Sequence, residues 1–328
     1  MTETVSIGAH RIQKRKLGST GLEVSEIGFG AWGIGGYTPG LPAYGETDDR
    51  VSEDALKAAY DRGVTFYDTS DLYGLGHSEE LIGKSLKSVR SHVCFATKSG
   101  FLKDGSQDFT PQHIRSALER SLRRLGTDYV DLYQLHSPPV DSSGSVLELI
   151  KTLSDLQQEG KTRAFGISAR SPDDGLAAAR MGFPSIQVNF NMTDQRAVEN
   201  GLFDFALENN VGIIARSPLC YGFLTGQYSE RDHFGADDYR STWPKEQLRL
   251  WAQAGKLFFD SLHTQQTPAQ AAIRFCLSFP AVTTVIPGML NAAHVQENTI
   301  SSAPGPFSKE DLARIQQIHK THTFFIRK

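Results

Sequence analysis

Short, nearly unbroken apolar runs alternate along this chain with longer stretches in which apolar residues return every three or four positions. The runs are Glu26–Trp32, Thr65–Ser70, Val93–Ser99, Val130–Ser137, Thr162–Ser168, Ser185–Asn191, Val211–Ser217 and Thr284–Gly288. They are rich in β-branched and aromatic residues, and their continuity is that of strands covered on both faces in a parallel sheet. The intervening stretches carry helix punctuation. Thr110-Pro111 reads as an N-cap followed by a first-turn proline; Ile114, Leu118, Leu122 and Leu125 share one face, and Gly126 supplies the left-handed stop. Gly63 and Gly160 stop two further helices, and Thr267-Pro268 opens one that Pro280 must close.

Eight strands with a helix between consecutive ones predict a closed (β/α)8 barrel, wired by right-handed crossovers. An open doubly wound sheet is the rival. Gly28, Gly30 and Gly33 match its G-x-G-x-x-G fingerprint, but the glycine- and proline-rich segment that follows cannot start a helix, so the match carries no nucleotide loop. Residues 11–30 include a hairpin-like run placed to close the bottom of the barrel. Leu219–Pro244, after strand seven, is a long aperiodic loop of the kind that is usually functional. The whole chain, 1–328, reads as one barrel domain, with 1–14 readable as a disordered N-terminal tail.

Composition narrows the function. The chain has 328 residues, a formal net charge of -3 and three cysteines, Cys94, Cys220 and Cys276. Without a basic stripe, nucleic acid is not an expected partner. No apolar run is long enough for a membrane helix, and the first segment lacks the apolar core of a signal peptide, so a cytoplasmic location is expected. Scattered cysteines offer neither a disulfide framework nor a metal site. Cys94 reads as inert core and Cys220 as the one thiol suspected of being accessible. Asp237-Asp238 and Lys103-Asp104 read as solvated loop charges.

Active sites of such barrels lie at the C-terminal ends of the strands. Those ends hold Asp68 and Tyr73 after strand two, Lys98 on strand three and His136 on strand four. A lysine following VCFAT starts out nearly buried and needs a carboxylate, for which Asp68 is placed. The group suits acid catalysis on a carbonyl: Tyr73 as proton donor with its pKa drawn down by Lys98, Asp68 holding Lys98, and a neutral His136 donating to the substrate oxygen. Carbon then needs a hydride, which only a nicotinamide cofactor can supply. Taken alone, Lys98 could also serve as a Schiff-base lysine of an aldolase.

At these residues the sequence resembles the aldo-keto reductase superfamily. The resemblance is carried by FYDTSDLYG (Phe66–Gly74), GHSEELIGKSL (Gly76–Leu86), ATK (Ala96–Lys98), LHS (Leu135–Ser137) and the segment Ile286–Asn298. Lys16–Ser25 and Ser217–Gly226 fit as well. It implies the barrel fold, a bacterial-type reductase of aldehydes or ketones, and Asp68, Tyr73, Lys98 and His136 as catalytic tetrad. It also implies a cofactor site. Ser168 and Gln187 would hold the nicotinamide carboxamide, although Ala169 stands where the family has Asn, and Arg216 would replace a stacking aromatic ring. Ser217, Pro218, Leu219, Gly222, Leu224, Thr225 and Gly226 would wrap the pyrophosphate. Gly288, Met289, Leu290, His294, Glu297 and Asn298 would hold the adenosine end, and Trp32 would line the cleft. Leu290 occupies the position where members preferring NADPH often carry Arg or Lys, so NADP(H) is favoured only slightly over NAD(H). Tyr44, Phe101, Phe223 and Tyr239 are further candidates to face a small carbonyl or alcohol, with polar loops hinting at a sugar or polyol. A cofactor-binding sensor or auxiliary subunit on the same barrel is the alternative from another functional class. Substrate identity and oligomeric state are not legible.

Overall fold

The computed structural model describes residues 12–140 and 145–326. A hairpin of β1 (Lys14–Lys16) and β2 (Glu23–Ser25) precedes eight parallel strands. These are β3 (Phe29–Gly30), β4 (Phe66–Asp68), β5 (Cys94–Ser99), β6 (Val130–His136), β7 (Thr162–Ser168), β8 (Ser185–Asn189), β9 (Gly212–Arg216) and β10 (Val282–Ile286). Each pairs with the next in sequence. Parallel bridges Ile27–Val285 and Gly30–Gly288 join the first strand to the last and close the ring. This is the (β/α)8 barrel that the strand count predicts. Residues 1–11, most of the stretch read as a tail, lie outside the described residues, whereas Lys14 already pairs with Ser25.

Helices form where the punctuation placed them. Thr110 accepts from the His113 amide and opens Pro111–Leu125, which ends on Gly126 at φ 61°. Thr267 and Gln270 make a reciprocal capping box at the start of Pro268–Leu277. Two helices that the periodicity did not single out, Lys245–Asp260 and Lys309–Thr321, cover the barrel late in the chain.

Side chains alternate between the barrel lumen and the helix layer. Phe66, Cys94, Ala96, Leu132, Ala164, Ile214 and Ile286 form a lumen core with Leu17, Leu22 and Val24 of the hairpin, which therefore plugs the bottom. The larger core lies between strands and helices. Two residues further along the same strand faces come Asp68, Lys98 and Gln134. A polar layer thus sits directly on the apolar lumen.

Candidate active site

Register stacks this layer. Lys98 lies beside Gln134, His136 beside Ser168, and Ser168 beside Gln187 on adjacent strands. Lys98 is fully buried; its Nζ donates to Asp68 Oδ1 at 2.5 Å and to the Thr69 carbonyl at 2.6 Å. The other Asp68 oxygen accepts from Gln134 Nε2 at 3.0 Å and Gln187 Nε2 at 2.7 Å. Burial opposes charge on Lys98, but Asp68 and Tyr73 outweigh it and the lysine pKa is raised.

Tyr73 sits above this pair, with Lys98 Nζ 4.9 Å from its ring centre. Its loop is held by a close backbone approach: a Cβ on Gly74, at φ +58°, would lie 2.1 Å from the Gly35 carbonyl oxygen, so no side chain fits. Burial pushes the Tyr73 hydroxyl above the ordinary phenol value; Lys98 is the largest opposing influence, and Asp68 adds to the rise. The net direction differs from the downward pull expected from Lys98 alone, because desolvation outweighs the ammonium. Tyr73 is thereby a protonated phenol at neutral pH.

His136 contacts Ser70 Oγ through Nδ1 at 3.1 Å and meets Phe101 edge-on at 4.9 Å. Burial first, then Lys98 and Arg216, hold its pKa well below the usual imidazole value, so the ring is neutral. The backbone just beyond is strained: Ser137 has φ 59°, and after β9 Ser217, Cys220 and Tyr221 have φ 55°, 47° and 56°. Strain of this kind persists only where surrounding structure imposes it.

Over the strand ends lies a cleft of about 580 Å³. Of the residues named from the sequence, it is lined by Trp32, Asp68, Tyr73, His136, Ser168, Gln187, Arg216, Ser217, Pro218, Leu219, Gly222, Thr225, Gly288, Leu290, His294, Glu297 and Asn298. Tyr44, Phe101 and Tyr239 line it too. Lys98 lies beneath the floor, behind Asp68. Leu224 and Met289 are buried in the apolar core, and Gly226 is not among the lining residues, so these three do not face the cleft. Phe223 is also core rather than a substrate-facing ring, packed against Trp251 at 5.8 Å. Cys220 is buried beside the Thr193 hydroxyl and its thiol pKa rises to about 12 by burial, which corrects the expectation of an accessible thiol. Asp238 is no solvated charge: it is buried against Arg240 at 2.5 Å.

Several lining groups escaped sequence reading. Arg240 packs over the rings of Tyr44, Tyr228 and Phe234, at 4.9, 4.7 and 4.3 Å. Tyr44 forms an antiparallel bridge with Asp238, and the Tyr239 amide donates to the Ala43 carbonyl at 2.7 Å, so the loops after β3 and β9 clasp across the cleft. Only tertiary pairing brings those segments together. Gln134 was discoverable: period two along β6 places Leu132, Gln134 and His136 on one face.

The cleft also has features that suit a dinucleotide. A Cβ on Gly288 would meet nothing within 4 Å, so backbone borders open space there. Cys220, Tyr221 and Gly222, all at positive φ, turn the chain at the lip. Gln187, which lines the cleft, is also tied into its floor. Its amide nitrogen is engaged by Asp68 and Gln134, and its oxygen accepts from Ser168 at 3.2 Å.

With this geometry in place, similarity to known proteins becomes decisive. The model of the aldo/keto reductase family matches residues 26–320. The chain belongs to the aldo/keto reductase family. As a member it is an NAD(P)-dependent oxidoreductase. It is 36% identical over 238 residues to aldo-keto reductase YhdN of Bacillus subtilis, covering 70% of this chain and 69% of that protein. Among solved structures, the holo form of aldo-keto reductase AKR11C1 from Bacillus halodurans superposes with a TM-score of 0.76 at 30% identity, covering 95% of this chain and 98% of the other. The glycerol dehydrogenase AKR11B4 from Gluconobacter oxydans gives 0.79 at 28% identity, covering 96% and 97%. Among the described residues, no helix is long and apolar enough to cross a membrane.

Proposed function

We propose that this oxidoreductase interconverts an aldehyde or ketone with the corresponding alcohol, using Tyr73 as general acid in reduction and general base in oxidation. The observation that carries the reading is the fully buried Lys98–Asp68 pair directly beneath Tyr73 at the floor of the cleft, with neutral His136 alongside. A buried charge pair is costly to assemble and weak evidence of stability, so its place under a phenol at the floor of a cleft argues for chemistry.

A nicotinamide in the cleft would supply or accept the hydride at the substrate carbon. The chain's own residues handle the oxygen. Tyr73 O–H is the proton donor; as its proton leaves, the phenolate gains the Lys98 ammonium, which Asp68 keeps charged and in place. His136, neutral and fixed by Ser70, orients the oxygen. The aromatic wall of Trp32, Tyr44, Phe101 and Tyr239 excludes water from that point.

Ser168, Gln187, Arg216, Ser217, Pro218, Leu219 and Gly222, with Gly288, Leu290, His294, Glu297 and Asn298, would hold the cofactor. At its adenosine end the cleft offers Leu290, a His294 whose pKa is lowered by burial, and the Glu297 carboxylate. Leu290 itself brings no charge to a 2′-phosphate, so NADH and NADPH are both accepted, which weakens the slight preference for NADP(H) expected from the resemblance. Lys98 as a Schiff-base nucleophile is disfavoured because the ion pair keeps it an ammonium. The similarity to a glycerol dehydrogenase supports a polyol-like substrate.

Tyr73→Phe tests the reading. Turnover of carbonyl substrates should fall by about 10²–10⁴, while titration of NADPH and NADH by fluorescence quenching shows binding retained. Normal turnover in that variant would overturn the scheme.

A further inference from the structure

Just past the end of β8 the chain folds into a tight turn, Asn191–Asp194. The Asn191 N–H donates to the Asp194 carbonyl at 3.2 Å, and the Asp194 N–H returns to the Asn191 carbonyl at 3.1 Å. Asn191, Thr193 and Asp194 are each buried to 2% exposure or less. The oxidoreductase scheme uses none of them.

The two ends of the Asn191 carboxamide are assigned by what surrounds them. Oδ1 accepts from the Thr193 amide at 2.9 Å, the Thr193 hydroxyl at 2.7 Å and the Asp194 amide at 3.1 Å. Three donors converge on one atom, so that atom is the oxygen and the other is the NH2. Nδ2 reaches out of the turn and donates to the Ser217 carbonyl at 2.9 Å, just beyond the end of β9. Flipping the amide would turn its NH2 toward three donors and its oxygen toward a carbonyl. The turn therefore fixes the aim at Ser217.

Ser217 is a residue that needs holding. Its φ is 55°, in the left-handed region that an L-residue with a Cβ enters at a cost. Pro218 follows it, and a residue before proline is driven toward extended backbone at negative φ. Two local preferences thus oppose the conformation seen, and such strain persists only where neighbours impose it. Two donors grip the Ser217 carbonyl: the Cys220 amide at 3.0 Å from within the loop, and Asn191 Nδ2 from outside it. The same turn touches the loop again, with the Thr193 hydroxyl 3.6 Å from Sγ of Cys220, another left-handed residue. Ser217 and Gly222 both line the cleft, so the loop between them is held from behind by the turn after β8.

We propose that Asn191 is a positioning residue for the dinucleotide. Its carboxamide holds Ser217 left-handed and so keeps the Ser217–Gly222 loop in its receiving shape before cofactor arrives. Asn191 is not among the lining residues of the cleft and acts only through Ser217. The inference rests on the reading of Ser217, Pro218, Leu219 and Gly222 as cofactor residues. Its physical content is preorganisation. Without the clamp, Ser217 in the cofactor-free chain relaxes toward negative φ and binding must drive it back. Affinity then falls in proportion to the population of the receiving shape. NADH and NADPH differ only in the 2′-phosphate, so both lose equally.

Asn191→Ser isolates the clamp, because a serine hydroxyl still accepts within the turn but is too short to reach Ser217. Fluorescence titration should show Kd raised by about tenfold for NADH and NADPH alike. Asn191→Thr gives the same comparison should the serine variant prove too unstable to assay. Ser217→Gly supplies the second background, since glycine takes positive φ without penalty. Whatever Ser217→Gly does alone, adding Asn191→Ser to it should raise Kd by less than about threefold. A role for Asn191 in general stability would give the same tenfold step in both backgrounds, and that result overturns the proposal. So does wild-type affinity in Asn191→Ser, or a loss confined to one cofactor. Hydrogen exchange at the Cys220 amide separates this inference from the reading beneath it. In the wild-type chain, NADPH should slow that exchange. If it does not, the cofactor reading of the loop fails and takes this inference with it. If it does, and Asn191→Ser binds as tightly as wild type, the cofactor reading stands and this inference alone fails.

Discussion

Lys98 Nζ lies 2.5 Å from Asp68 Oδ1, and neither side chain is more than 3% exposed. A pair buried this deeply is held by its own completeness: each charge has been taken out of water, and each depends on the other. Removing one partner should therefore cost far more than removing both. Asp68→Asn is expected to destabilise by about 3–5 kcal/mol, whereas Asp68→Asn combined with Lys98→Met should recover much of that loss. Urea unfolding of Asp68→Asn, Lys98→Met and the double variant checks it, and additive losses would show that the two charges are independent.

Asp71 predicts a pH dependence of stability opposite to that of an ordinary ion-paired carboxylate. In the unfolded chain an aspartate ionises near 4, but in the fold Asp71 keeps its proton to about 7. The folded state binds that proton more tightly. Its stabilising contribution is complete below the unfolded pKa and is lost as pH rises through the folded one. Asp71→Asn, which cannot ionise, should gain in Tm relative to wild type between pH 5 and pH 8. A constant difference across that range would contradict the burial assigned to this carboxyl.

The clasp across the cleft turns on Arg240. Its guanidinium pairs with buried Asp238, packs on three rings and donates to the Tyr221 carbonyl at 3.3 Å. Arg240→Met keeps volume but leaves Asp238 without its cation, so the Tyr44–Asp238 bridge should open more often. Faster hydrogen exchange at the Tyr239 amide is expected, together with NADH release quickened by about tenfold. Unchanged protection of that amide would mean the loops are held by something other than Arg240.

Leu290 offers a direct test of cofactor discrimination. Its side chain packs against Gly33, where an added Cβ would come within 2.3 Å of Leu290 Cδ2, and its amide donates to His294 Nδ1 at 3.3 Å. Leu290→Arg puts a cation where the chain carries an apolar side chain. NADPH affinity should rise by about tenfold, or ~1.4 kcal/mol, while NADH affinity changes little. Equal changes for both cofactors would place the 2′-phosphate elsewhere.

Much of this molecule was legible before any coordinates. Strand continuity, the caps at Thr110 and Thr267 and the stop at Gly126 are local signals, set by backbone sterics and by hydrogen bonds between near neighbours, and they returned eight strands in the right order. Asp68, Lys98 and His136 were visible because a polar residue ending an apolar strand stands out against its own segment. The neutral state of His136 was anticipated. The upward shift of Tyr73 was not, since desolvation depends on atoms far away in sequence. Leu224, Met289 and Phe223 were placed at the cleft because motif position says nothing about which face of a loop a side chain takes. Cys220 was misjudged for the same reason.

By itself the sequence determined the alternation of strand and helix, hence the closed parallel barrel, and the residue types standing at the strand ends. Those follow from periodicity and punctuation, which are properties of a few neighbouring residues. Tertiary structure alone decided that Gln134 and Gln187 share one oxygen of Asp68, that Arg240 and Tyr44 meet over the cleft, and that Ser70 joins Asp71 to His136. Such contacts depend on inter-strand register and on closure of the ring. A hydrogen bond forms or fails over a few tenths of an ångström, a distance set by the whole packed fold and by no local segment of the chain.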